Sequence, residues 1–528
     1  MRFKTLSIAI TASLGLCALS AQAQSGDGST TARHHLAKSS ESTELAAMKA
    51  QIAALQAQLS NLENRQQAQA DSQEQLRQAN ASQVAAAQAQ VEEQRAEIKK
   101  IKDRKLDFSN LTYHGLKFTF GGYLEAATIN RQRATGADIS QPWNGIPYPY
   151  QSNYHNKEFR QSEHQSRFSM LVQGNVSDTV HLAGYYEMDF QGTAANSNTN
   201  ESNSFTPRTR NVYMTVDWDT PGLHFLAGQN WSLLTMDKHG ITPRDEWQPG
   251  EIDAQYSVGY NWTRQPQLRL VKDWDKKYWL GISAENPQTT FGGDTPKGVD
   301  TTLPAASGYT SAITNMPDVI IKGAMDPGYG HYEAFGIVRG FTSRFGGSNH
   351  EVYGTGYGGS FQLPLFNKHV DLMGSAMQGR GIGRYGSGAL PDVTVGADGQ
   401  IKPIKETTFL TGLTYHVTKT LDLFAYYGQE REERQDTTGG GLYGYGNPLY
   451  NNSGCMDESG SALTCVANTQ RLTEASAGGW WSFYSGRFGK AMFGVNYAHI
   501  TRQAFAGIGG SPQTTDNMIW TSFRYYPF

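Results

Sequence analysis

The sequence predicts an all-β transmembrane barrel of about 16 antiparallel strands, preceded by an N-terminal α-helical coiled coil, and three observations carry that expectation. Residues 116 to 528 alternate apolar and polar side chains in short stretches bounded by turn residues. Residues 40 to 105 instead contain mostly Ala, Gln, Glu and Leu, with no Gly or Pro. The chain also opens with an export-type segment, beyond which no run of about 18 apolar residues occurs, and the mean hydropathy is −0.53, so a helical membrane protein is not expected.

Residues 1 to 23 carry Arg2 and Lys4, an apolar run from Leu6 to Leu19, and the small-x-small site Ala21-Gln22-Ala23. This is the pattern of a signal peptide, and its apolar run is too short to cross a bilayer. Cys17 follows Leu16 where a lipoprotein would need a small residue, so lipidation is not expected. Residues 24 to 39 form a flexible linker, and His34 and His35 within it suggest no metal site.

In the stretch 40 to 105, Leu45, Met48, Ile52, Leu55, Leu59 and Leu62 follow one another at alternating spacings of three and four residues, the seam of a heptad repeat. The seam turns polar at Gln66, Gln69 and Gln73, returns at Leu76, and resumes as Val84, Val91, Ile98 and Ile101 in a shifted frame. Such a stutter locally unwinds a supercoil. An apolar zipper this short needs an already oligomeric partner, so the segment reads as a periplasmic stalk that assembles on the barrel, with residues 106 to 115 as a linker.

Strands are expected to begin near Leu116, Gln165, Thr179, Arg208, Gly222, Arg264, Lys277, Asp318, Gly330, Asn349, Asn367, Lys405, Lys419, Arg471, Arg487 and Thr514. Long polar connections follow most odd-numbered strands, whereas tight turns such as Thr220-Pro221-Gly222 and Ser485-Gly486 follow even ones. The ninth connection, at Gly346-Gly347, is a short exception. Short turns on one side and long loops on the other fit a barrel with both ends on the periplasmic side of a bacterial outer membrane. The closing stretch, Asn517 to Phe528, ends in an aromatic residue and resembles the terminal insertion signal of such barrels. A barrel this wide would enclose water, which points to a channel.

The formal charge is −3, and loss of Arg2 and Lys4 with the signal leaves 43 basic against 48 acidic side chains, so no nucleic-acid partner is indicated. Cys455 and Cys465 lie in a Gly-, Asn- and Ser-rich stretch and are expected to form a loop-stapling disulfide.

Several segments resemble the trimeric dicarboxylate-porin family, the DcaP-like porins. They are Lys117-Phe-Thr-Phe-Gly-Gly-Tyr-Leu124, His164-Gln-Ser-Arg167, Arg210-Asn-Val-Tyr213 with Leu226-Ala-Gly-Gln-Asn-Trp-Ser232, and Arg264-Gln-Pro-Gln-Leu-Arg269 with Ala284-Glu-Asn-Pro287. The match covers roughly residues 116 to 290 and is architectural beyond them. It implies a sixteen-stranded homotrimer with a helical stalk, set in outer-membrane lipid and passing small anionic solutes such as dicarboxylates. Residues 139 to 154, with Pro142-Trp-Asn-Gly-Ile-Pro-Tyr-Pro-Tyr150, form an insertion outside the resemblance.

Selectivity in a pore needs fixed charge where it narrows. Strand parity turns Arg167, Arg269 and Lys322 toward the lumen as pore-lining residues. Arg208 and Arg210 share parity with Val212 and Met214 and would point outward unless they lie above the membrane or past a bulge. Arg210 is therefore assigned to the pore from the resemblance. The connection from Leu233 to Tyr260 is the candidate constriction loop, with Asp237, Lys238, His239, Arg244, Asp245 and Glu246. Its mixed signs suggest a transverse field. For an enzyme, the nearest pairing is His164 with Ser166, which lacks an orienting third group, so no catalytic residue is assigned. A competing reading is a structural barrel whose coiled coil tethers the cell wall or another partner.

Overall fold

The computed structural model of the chain describes residues 41–103, 111–194, 197–199, 202–303, 311–435, 437, 441–466 and 468–528. The expected signal peptide, the linker with His34 and His35, and residues 104 to 110 lie outside the described residues. The chain divides into two compact units, Met1–Lys105 and Leu106–Phe528.

In the first unit a single helix, α1, spans Glu41–Asp103. Its composition explains its length, because straight-chain residues and alanine lose little freedom in a helix and nothing interrupts them. At about 1.5 Å per residue it extends about 95 Å. Met48, Ile52, Leu55, Leu59 and Leu62 are all exposed along it.

The second unit is a closed antiparallel barrel. Its strands are β1 (Leu116–Arg131), β2 (Arg167–Ser177), β3 (Val180–Gly192), β4 (Thr206–Trp218), β5 (Leu223–Trp231) and β6 (Arg264–Trp274). Next come β7 (Tyr278–Glu285), β8 (Asp318–Met325), β9 (His331–Phe345), β10 (Ser348–Leu365) and β11 (Val370–Arg380). The circuit ends with β12 (Lys405–Thr418), β13 (Leu421–Glu432), β14 (Thr469–Gly486), β15 (Gly489–Ala504) and β16 (Gln513–Tyr526). Each strand pairs with the next, and β16 pairs with β1 from Leu124↔Tyr525 to Arg131↔Met518, which closes the sheet. The short strands Leu111–Tyr113 and Glu158–Ser162 pair only with β1, and the first of them falls in the stretch expected to be a linker.

Period-2 alternation decides what each face meets. On β6 and β7, Leu268, Leu270 and Ile282 are exposed while Gln267, Arg269 and Ser283 are buried. The outward set forms an apolar belt suited to lipid, and the inward set is polar. The ninth connection is a tight hairpin: Gly346 and Gly347 carry φ of +59° and +81°, the left-handed values a two-residue turn between twisted strands requires.

The lumen departs from the expectation of a water-filled bore. Three connections from the long-loop end fold into it and bury their own apolar residues: β1–β2 with Ile139, Trp143 and Ile146, β5–β6 with Met236, Trp247 and Ile252, and β11–β12 with Leu390. They pack with wall residues Phe424, Trp480, Met518 and Trp520 into one core. The Pro- and aromatic-rich insertion of residues 139 to 154 thus packs Ile139, Trp143, Ile146 and Tyr148 into the interior, while Ser152 and Asn153 stay exposed.

Candidate functional site

The β5–β6 loop crosses the whole lumen. Near its root the Leu233, Asp237 and Gly240 amides donate to Glu285 (2.8 Å), Glu333 (2.9 Å) and Asp326 (2.8 Å). At its far side the Gly250 amide donates to the Tyr426 hydroxyl (3.0 Å), and the Val258 and Gly259 amides donate to Glu474 (2.8 Å) and Glu430 (2.9 Å). Trp480 Nε1 donates to the Gly250 carbonyl at 2.7 Å. Strands β13 and β14 stand halfway round the barrel from β5 and β6, so these bonds span a diameter. Inward-facing wall carboxylates accept the backbone N–H groups that a loop removed from water would otherwise leave unsatisfied.

Close approach requires glycine at two of these contacts. Gly259 adopts φ +87°, and a side chain on Gly428 of β13 would run into the Val258 carbonyl. The other two loops lock onto the first: the Gln141 amide donates to Asp253 Oδ1 (3.2 Å), and the Ser387 amide donates to the Tyr260 carbonyl (3.0 Å).

Within the loop, Asp237 and Glu246 form an antiparallel bridge that makes a short ribbon. Lys238, His239 and Arg244 are exposed. His239 Nδ1 lies 3.1 Å from Asp245, and Arg244 Nη1 donates to the Tyr213 hydroxyl (3.1 Å). Asp237 and Glu246 are buried, and Asn230 donates to Glu246 at 3.1 Å. Burial pushes the Glu251 and Asp253 carboxyls up to about 7 each, the Glu251 effect being reduced by hydrogen bonds from Ser257 and Ser476.

Lys322, expected in the pore lining, does face inward but is only 1% exposed. Its ammonium lies 2.8 Å from Asp237 Oδ2 and 2.7 Å from Glu333 Oε1, and it donates to the Thr235 carbonyl at 2.8 Å. The charge is turned into the root of the loop and not toward solvent. Arg269 is likewise buried, with Nε bonded to Gln267 (2.9 Å) and Nη2 to the Trp231 carbonyl (2.6 Å). It borders a cavity of about 500 Å³ between the loop and the wall, where His224, Trp279, Ile241 and Arg244 also contribute.

Arg210 points inward because the β3–β4 ladder is bulged: Glu187 pairs with Asn211 but the adjacent Met188 pairs with Thr209. The extra residue reverses parity, so Arg210 and Asn211 are both buried while Val212 and Met214 remain outside. Arg210 binds Glu187 (2.6 Å) and Asp189 (2.9 Å), and Arg208 binds Asp189 (2.7 Å). Arg167 donates to the Tyr256 hydroxyl at 3.2 Å.

Sequence reasoning missed Arg264, at the first position of β6. Its guanidinium lies over the Trp231 (4.8 Å) and Trp262 (5.2 Å) rings, and among the described residues it has no ion pair within 4.0 Å. Arg167 Nε, Arg210 Nη2 and Arg264 Nη1 are all buried without a hydrogen-bond partner. Their combined field is visible at Tyr256 on the loop: burial alone would raise that phenol, yet the charges of Arg167, Arg210 and Arg264 bring it below its ordinary value. Parity sets Arg264 on the outward face with Pro266 and Leu268, so the sequence carried no signal for it; its pairing with the buried Trp231 across β5 and β6 brings it to the site.

The remaining assignments fall as follows. Cys455 and Cys465 are disulfide-bonded. Ser166 Oγ accepts from the Glu125 amide (2.9 Å), while His164 Nδ1 lies 2.7 Å from Asp138, so the two are engaged separately.

No protein-family model and no curated protein matches the chain. Among solved structures it is similar to the outer membrane channel DcaP of Acinetobacter baumannii, at 16% identity and a TM-score of 0.57, over 79% of this chain and 99% of that one. Weaker likenesses are to OmpT of Vibrio cholerae (12% identity, TM-score 0.43, 79% and 99% covered) and an anion-selective porin from Comamonas acidovorans (10%, 0.42, 78% and 99%). The second unit, a closed antiparallel barrel narrowed from within by its own loops, is therefore similar in fold to the outer-membrane channel DcaP.

Proposed function

We propose that this chain is an outer-membrane porin through which small hydrophilic anions, dicarboxylate-like in charge and size, diffuse. The observation that carries the reading is the arginine cluster around Tyr256: Arg167, Arg210 and Arg264 each keep one buried guanidinium nitrogen without a hydrogen-bond partner, and Arg264 has no ion pair among the described residues, although Arg210 is paired with Glu187 and Asp189. A cluster of fixed positive charge beside a narrowed path attracts an anion through its field and disfavours a cation. The β5–β6 loop adds charges of both signs beside the path, with Lys238 and Arg244 exposed and Asp245 partly so, which supports a field across the lumen. Such a transverse field orients a solute that carries charge at two ends.

Assembly as a homotrimer, with α1 as a periplasmic coiled-coil stalk, belongs to the same proposal. The exposed seam Met48, Ile52, Leu55, Leu59 and Leu62 supports it, since a row of apolar side chains on a long helix is buried by supercoiling with copies of itself. The test is the reversal potential of the purified protein in a planar bilayer under a KCl gradient, with and without succinate on one side. Anion preference that falls in the Arg167→Ala/Arg264→Ala variant is the expected result. Cation preference in the native protein, or unchanged preference in the variant, overturns the assignment of solute class.

A further inference from the structure

Across the β12–β13 ladder, Glu406 stands directly opposite Glu432. Both side chains face the lumen at the long-loop end, and both residues are at most 1% exposed. All four carboxylate oxygens are buried and make no hydrogen bond of good geometry; the Tyr445 hydroxyl beside Glu432 donates to the Thr469 carbonyl at 2.6 Å. Their nearest cationic neighbours have the opposite parity: Lys405 pairs with Glu433 at 2.7 Å, and Arg431 is exposed on the outer face. Among the described residues no Lys or Arg forms an ion pair with either glutamate. Glu430, two residues along β13, adds a third inward carboxylate, but its oxygens already accept from the Gly259 and Gly388 amides. Ile404, Tyr445 and Phe505 form a buried apolar cluster of their own beside these strand ends.

Two adjacent carboxylates removed from water and without donors need a positive charge between them. No group of three or more His, Cys, Asp or Glu side chains among the described residues is placed to hold a metal, so a site here rests on the two carboxylates alone, without nitrogen or sulfur ligands. A hard cation has a different requirement: two carboxylates supply up to four oxygens, and hydroxyls, carbonyls and water complete the shell. Cross-strand neighbours on one face hold their Cβ atoms about 5 Å apart, within reach of a single ion.

We propose that Glu406 and Glu432 bind one divalent hard cation of the calcium type, clamping β12 to β13 where the β11–β12 and β13–β14 loops leave the wall. The inference is independent of the solute-selectivity reading, since it concerns the stability of the barrel mouth and not the path of the solute.

The test uses the full-length purified protein, stripped with EDTA and titrated with calcium chloride, followed by calorimetry and by the melting temperature. The expected result is one calcium per chain and a rise in melting temperature of several degrees, both lost in Glu406→Gln and Glu432→Gln and both retained in Glu458→Gln on an exposed loop. Native protein that binds no calcium, or whose melting temperature ignores calcium, overturns the proposal. If melting is then sensitive to pH and the Gln variants are more stable than the native chain, the pair shares a proton instead. Gln replaces either carboxylate with nearly the same shape, and normal insertion of the variants into liposomes shows that lost binding does not reflect misfolding.

Discussion

Replacing Lys322 by Met removes the lysine cation that ties the root of the β5–β6 loop to the wall. In the native chain its ammonium contacts Asp237 and Glu333 at 2.8 and 2.7 Å, all three side chains being at most 2% exposed. Met fills similar volume, so the change isolates charge from packing. Removing one partner of a buried ion pair costs about 3–5 kcal/mol, because a carboxylate is left behind neither solvated nor paired, here that of Asp237, since Glu333 keeps His331 Nε2 at 3.0 Å. The barrel ladder on either side of Lys322 is unaffected, so that cost falls on the seating of the loop. At about 1.4 kcal/mol per factor of ten, the fraction of time the loop is unseated rises about a hundred- to several-thousand-fold. Single-channel recording should show a larger and noisier conductance, with the barrel still resistant to unfolding in detergent. The triple variant Lys322→Met/Asp237→Asn/Glu333→Gln, which removes both carboxylates that the lysine would orphan and leaves His331 paired with Asp326 (2.7 Å), should return toward native behaviour. Native conductance and noise in the single variant would refute the anchoring role, and equal disturbance in the triple variant would show that packing and not charge is responsible.

Two further outcomes follow from the same loop. Gly428→Val drives a side chain into the Val258 carbonyl, and overpacking of about 1–3 kcal/mol should raise the unseated population about 5- to 150-fold, read as increased conductance, with Gly428→Ala intermediate. Glu251 and Asp253 are raised to about 7 in the seated loop, above the ordinary carboxylate range they would regain once released. Seating therefore takes up protons. Its stability is fullest at acid pH and is lost as pH rises through about 7, so open-channel noise should increase between pH 6 and 8, and Glu251→Gln/Asp253→Asn should flatten that dependence.

The barrel was legible because alternation, turn residues and loop lengths are local signals, and each expected strand start lies within three residues of the observed one. Inward parity was equally legible for Arg167, Arg269 and Lys322. What parity could not supply is the partner: Lys322 meets Asp237 only because a loop folds back across the lumen, a contact between residues far apart in sequence. Arg210 shows the second limit. One unpaired residue in the β3–β4 ladder reverses the faces beyond it, and a bulge leaves no mark in alternation until the facing strand is known. The insertion 139 to 154 was visible as an oddity, since Trp143, Ile146 and Tyr148 are poor residues for a solvated loop, but only the walls at Trp520 and Thr514 say where it goes.

The bonds across the lumen also set an order of events. Gly250 and Val258 meet partners 176 and 216 residues further along the chain, and the β1–β2 loop meets Thr514 at a separation of 367. A chain that has formed β1 to β12 has no seat for these loops. Contacts of such separation form only after the intervening chain is ordered, which makes them slow. Seating of the loops accordingly has to wait for the last four strands, so narrowing of the bore is expected to follow closure of the barrel and not to precede it.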